Sequence, residues 1–66
     1  MTVYFNNSAI STDSSTLKDL IHEKGLHDKK GIAVAINNAV VSKETWQKIK
    51  LNKEDNILII TATQGG

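Results

Sequence analysis

The spacing of apolar positions changes several times along this chain, and each change marks a predicted element. Thr2-Val3-Tyr4-Phe5 is β-branched and aromatic, Asn6-Asn7-Ser8 is a turn signal, and Ala9-Ile10-Ser11-Thr12 returns as a second arm. The chain therefore opens with a β-hairpin. Asp13-Ser14-Ser15-Thr16 gathers residues that cap helices, and Asp19, three positions after Thr16, completes the outline of a capping box. Leu17, Leu20 and Ile21 follow the i, i+3, i+4 spacing of one buried stripe, and Gly25 is placed to supply the left-handed residue that stops a helix. The spacing predicts a short helix from near Leu17 to Lys24.

After a polar loop through Asp28-Lys29-Lys30-Gly31, the period returns to two. Ile32, Val34 and Ile36 share one face of a strand whose other face carries only Ala33 and Ala35. Asn37-Asn38 tolerates the positive φ of a tight turn, Ala39-Val40-Val41 continues as a short strand, and Ser42 is placed to cap a single turn over Lys43 to Trp46. Lys53-Glu54-Asp55-Asn56 is the next turn, and residues 57–63 form the most apolar strand. A helix between an N-terminal hairpin and later strands must lie across the sheet, covering one face and leaving the other open. The fold class is α+β: a roll with a mixed sheet of four to five strands and one main helix on one face. If the first and last strands are central neighbours, they run parallel, which the long crossover permits. Residues 1–63 make the domain, and residues 64–66 a flexible C-terminal tail.

Length and composition then narrow the function. A chain of 66 residues is one domain at most, and so small a core supplies only ~3–5 kcal/mol of net stability. There is no cysteine, which excludes disulfides, thiolate nucleophiles and cysteine-ligated zinc. Net charge is +1, and all eight basic residues are scattered lysines, lacking the planar fork that arginine offers to phosphates and guanines, so no nucleic-acid partner is expected. No apolar run approaches the ~20 residues of a bilayer span, and no charged-then-apolar leader opens the chain. A cytoplasmic protein with no membrane partner, monomeric when free, is expected.

Few side chains suggest chemistry. His22 lies off the apolar stripe and His27 in a loop, so both read as solvated, with no further ligands to build a metal site. Trp46 reads as a packing anchor, Lys29-Lys30 as a solvated loop, and Ser14-Ser15-Thr16 as a helix cap with no base beside it. Without an acid–base pair or a phosphate loop, the chain is not expected to be an enzyme and has no catalytic residue of its own.

Phe5-Asn6, Ala35-Ile36-Asn37, Val41, Trp46, Leu51, Asp55, Ile57 and the terminal Gly65-Gly66, in that order and spacing, resemble the ThiS family of sulfur carriers. Each motif is weak alone; their joint spacing over the whole chain is specific. The resemblance implies the ubiquitin-like β-grasp fold, no bound cofactor, and a role in making the thiazole of thiamine. An E1-like, ThiF-type adenylyltransferase would use MgATP to convert the Gly66 carboxylate into an acyl adenylate. Sulfur from a donor protein would replace AMP, and a ThiG-type thiazole synthase would take it. Two departures stand out: Ser42-Lys43 where Pro-Arg or a similar pair is common, and bulky Gln64 before the diglycine.

The residues fit that chemistry. Gly65 and Gly66 lack a Cβ and can pass extended through a narrow slot, and four extended residues from Thr63 to Gly66 reach roughly 13–14 Å. Small residues also end many domains as frayed tails, so it is the accompanying pattern that favours function here. Side-chain alternation separates Ile57 and Ile59 from Leu58 and Ile60; with Val3 and Phe5 as the core pair of the first strand, the resemblance to ubiquitin-like proteins favours the register that puts Tyr4, Leu58 and Ile60 on the uncovered face, as a candidate partner-binding patch beside the tail. Ordinary cross-strand packing is the plainer alternative for those three. Other readings are the small subunit of molybdopterin synthase, a conjugated protein modifier, and a β-grasp interaction module without tail chemistry.

Overall fold

A computed structural model describes residues 1–61; Gln64, Gly65 and Gly66, with the predicted end of the last strand, lie outside the described residues. The elements are β1 (Thr2–Phe5), β2 (Ser8–Ser11), α1 (Leu17–Glu23), β3 (Ile32–Ile36), β4 (Ala39–Val41), a 3₁₀ helix (Lys43–Lys48) and β5 (Asn56–Thr61). The strands form one mixed sheet in the order β2-β1-β5-β3-β4. The outer pairs are hairpins, and β5 lies between them, parallel to β1 and antiparallel to β3. The conditional expectation of parallel first and last strands is met.

Both hairpins turn on asparagine pairs. Asn6 and Asn7 have φ of 51° and 70°, and Asn37 and Asn38 have φ of 50° and 72°. Two left-handed residues in succession match the twist of the flanking strands, and asparagine bears this conformation better than other residues with a Cβ. Ser8, read as part of the first turn, instead begins β2 opposite Phe5, because two residues suffice for the reversal.

Helix α1 starts where Thr16 caps it. The Asp19 amide donates to Thr16 Oγ1 at 3.1 Å, and Gly25, at φ +72°, follows the C-terminal end. Leu17, Leu20 and Ile21 are fully buried against Val3, Val34 and Ile57 of the three central strands, with Trp46 and Leu51 closing the cluster. Burying each such aliphatic side chain stabilises by about 1.5–3 kcal/mol. Ser42 does not cap as expected. Its side chain makes no capping bond; its carbonyl accepts from the Thr45 hydroxyl at 2.7 Å, and the turn runs on to Lys48 as a 3₁₀ helix. The predicted turn at residues 53–56 is shorter, since Asn56 already belongs to β5.

Thr12, expected to end β2, lies beyond it and is buried. Its hydroxyl donates to Glu23 Oε1 at 2.6 Å, and the Ser14 hydroxyl donates to the same oxygen at 2.8 Å, tying the β2–α1 loop to the far end of the helix. The Thr12 bond, then the Ser14 bond, hold the Glu23 carboxyl below the ordinary carboxylate pKa. A depressed pKa gives stability that is fully present above the unfolded-state value and lost as pH falls through the folded-state value. Glu23→Gln should therefore flatten part of the acid limb of the stability–pH curve, as followed by Trp46 fluorescence. An unchanged limb would show that these bonds do not favour the ionised form.

Candidate functional site

The sheet has one face under α1 and one left open. Strand register assigns the open side: Tyr4 lies opposite Ala9 and Asn56, Leu58 and Val40 flank Ala35, and Ile60 lies opposite Ala33. Tyr4 is 41% exposed, Ile60 46% and Val40 68%. No strand position facing this side carries a charge among the described residues. Single exposed apolar side chains are ordinary; here they form an uncharged stripe across four strands, the candidate site.

Tyr4, Leu58 and Ile60, separated by most of the chain, thus share one face as predicted. Leu58 is only half-exposed, because it sits on the central strand with Ala35 beside it. Val40 is the member that sequence reading missed. Its signal was available: a two-residue Asn37-Asn38 turn places Val40 opposite Ala35, on the open side. The three residues proposed for the tail lie outside the described residues, but the strand that leads toward them is the one that carries Leu58 and Ile60.

Asparagine and aspartate side chains hold that strand in place. Beyond the end of β1, the Ile59 amide donates to Asn6 Oδ1 at 2.9 Å, so a side chain continues the parallel ladder after the backbone has turned away. At the start of β5, the Asn56 amide donates to Asn37 Oδ1 at 2.9 Å, and Asn37 Nδ2 donates to Asp55 Oδ1 at 3.0 Å. The other carboxylate oxygen of Asp55 accepts the Asn52 amide at 2.7 Å. Asp55 is buried, and both its oxygens have partners. Asn6, Asn37 and Asp55 therefore fix the position of β5, a role the linear sequence did not disclose.

On the opposite side, Trp46 is buried in the core as expected. Both histidines are exposed, as expected, and they stack on one another with ring centroids 3.8 Å apart and planes 6° apart, while His27 Nε2 lies 3.2 Å from Asp28 Oδ2. No cluster of three or more metal-ligating side chains occurs among the described residues, and no helix there is long and apolar enough to cross a membrane.

A five-stranded mixed sheet with its first and last strands paired in parallel and one helix across one face defines a ubiquitin-like β-grasp protein. The model of the ThiS family matches residues 3–66, and the chain belongs to that family, making it a small sulfur carrier of thiamine biosynthesis rather than an enzyme. A solved structure with the same fold is the thiamine biosynthesis protein ThiS from Geobacter metallireducens, at a TM-score of 0.85 and 16% identity over 100% of both chains. Comparison with curated protein sequences finds no match.

Proposed function

We propose that the Gly66 carboxylate is the sulfur-carrying group, presented by a tail of residues 64–66 to two successive cytoplasmic enzymes that dock on the open face. A carboxylate resists displacement because its oxygen is a poor leaving group. A ThiF-type adenylyltransferase supplies MgATP; the carboxylate oxygen attacks the α-phosphorus, pyrophosphate leaves, and an acyl adenylate forms. A sulfur nucleophile from a donor protein then attacks the acyl carbon, and AMP leaves. Release of that sulfur from its donor, by a reductant such as a thiol, completes the thiocarboxylate. The thiocarboxylate is anionic and polarizable, suited to attack an electrophilic carbon in a ThiG-type thiazole synthase. With no cysteine in the chain, no internal thiol competes for the activated acyl group.

Family membership carries the reading, supported by one structural observation: the strand that precedes the tail also supplies Leu58 and Ile60 to the open face. An enzyme gripping that face holds the root of the tail at a fixed distance from its own active site. Such fixed placement favours reaction by making it effectively intramolecular.

Intact-mass spectrometry after incubation with the adenylyltransferase, MgATP and a sulfur donor tests the proposal. The full chain should gain the mass difference between one sulfur and one oxygen atom, and a variant lacking Gly66 should gain nothing. No gain on the full chain, with the enzyme active on another carrier, would leave an interaction module without tail chemistry.

A further inference from the structure

The two neighbours of β5 do not hold it equally toward its outgoing end. On the β3 side, pairing continues to Ala33 opposite Ile60 and Ile32 opposite Thr61. On the β1 side, it stops at Phe5 opposite Ile57, because the chain turns away through Asn6 and Asn7 at positive φ. A strand end held along one edge only can pivot about that edge.

Asn6 supplies the second hold. Its amide donates to the Ile57 carbonyl at 2.9 Å, and its side-chain Oδ1 accepts the Ile59 amide at 2.9 Å, so one residue grips both flanks of Leu58. The Ile59 amide lies between Leu58 and Ile60, which ties the open face and the end of the strand to the same turn. Among the described residues, no hydrogen bond reaches β5 from the β1 side beyond Ile59. Asn37 and Asp55 act at the opposite end of the strand, around Asn56. The turn itself does not call for this oxygen: glycine adopts positive φ more readily than asparagine, and Asn7, at φ 70°, fills the same turn without such a bond among the described residues.

We propose that Asn6 is a positioning residue for sulfur loading, its side-chain carbonyl fixing where β5 hands the chain on toward Gly66. The inference rests on the sulfur-carrier reading and adds to it the residue that places the root of the tail. Five residues follow Thr61. Once they are extended in an enzyme's slot, their reach is set by where the strand ends, so a displacement there shifts the reacting carboxylate by a similar amount. A misplacement of ~1 Å at a reacting group costs about a hundredfold in rate. An exposed hydrogen bond adds little to global stability, so placement and folding separate experimentally.

The test measures pyrophosphate release by the adenylyltransferase, at saturating MgATP, against carrier concentration. Asn6→Gly keeps the turn and deletes the acceptor; kcat should fall about tenfold with KM for the carrier unchanged, the pattern of an interaction that matters after docking. Asn6→Asp retains an acceptor and tolerates the left-handed φ, and should recover most of the rate, while Asn7→Gly should match the wild type. Exchange of the Ile59 amide should quicken in Asn6→Gly alone, with the other amides reporting a retained fold. A raised KM at constant kcat, a wild-type kcat in Asn6→Gly, equal losses in Asn6→Gly and Asn7→Gly, no recovery in Asn6→Asp, or lost protection throughout Asn6→Gly would each overturn the assignment. A wild-type chain that releases no pyrophosphate, with the enzyme active on another carrier, would instead fail the sulfur-carrier reading and the positioning role with it.

Discussion

Asp55→Ala should remove about 2–3 kcal/mol of stability, the range for hydrogen bonds to a charged group lost from a buried setting. Two donors lose their acceptor together: the Asn52 amide at 2.7 Å and Asn37 Nδ2 at 3.0 Å. In a domain whose core supplies only ~3–5 kcal/mol net, such a loss moves much of the population toward the unfolded state. Asp55→Asn separates charge from shape. Its oxygen can still accept the Asn52 amide, but its new N–H₂ faces the Asn37 donor, so an intermediate loss is expected. Urea unfolding followed by Trp46 fluorescence measures both. If Asp55→Ala unfolds at the wild-type midpoint, the network does not hold β5.

Ile60→Glu should weaken binding to the adenylyltransferase by at least about tenfold, equivalent to ~1.4 kcal/mol, while leaving the fold intact. Ile60 is 46% exposed and packs beside small Ala33, so the free domain tolerates a polar side chain there. In a complex, the same carboxylate would be buried against an apolar partner surface, which is unfavourable unless it finds a cation. Lys29→Glu, in the loop beyond α1, is a control with a larger change in net charge. Equal loss from both variants would point to long-range electrostatics, and intact binding by Ile60→Glu would exclude the stripe as the docking face.

Local chemistry made most of the fold legible. Asn-Asn is an explicit turn signal, Thr16 before Leu17 an explicit cap, and the two-residue alternation of β3 an explicit face. Ser42 misled because a cap-forming residue type does not ensure a cap: the Thr45 hydroxyl took the Ser42 carbonyl, and the turn tightened to 3₁₀ geometry. Contacts between distant positions were the least readable. The Thr12–Glu23 bond, the His22–His27 stack and the Asn37–Asp55 link depend on where the helix and turns bring side chains, which periodicity does not encode. Asn37 and Asp55 belonged to the resemblance before their role was known, and the structure gives the physical reason for their presence. For the site, alternation paired Leu58 with Ile60, the parallel pairing of the first and last strands and the family resemblance added Tyr4, and adding Val40 required the hairpin register.

The central position of β5 also has a mechanical meaning. The strand is hydrogen-bonded on both sides, to β1 and β3, and the chain continues from it at Thr61. A force applied beyond Thr61 runs along the strand axis and loads both ladders in shear, so several bonds share the tension at once. An edge strand pulled from its end would instead unzip one bond at a time. Against a pull applied beyond Thr61, the body of the protein therefore resists as an anchor.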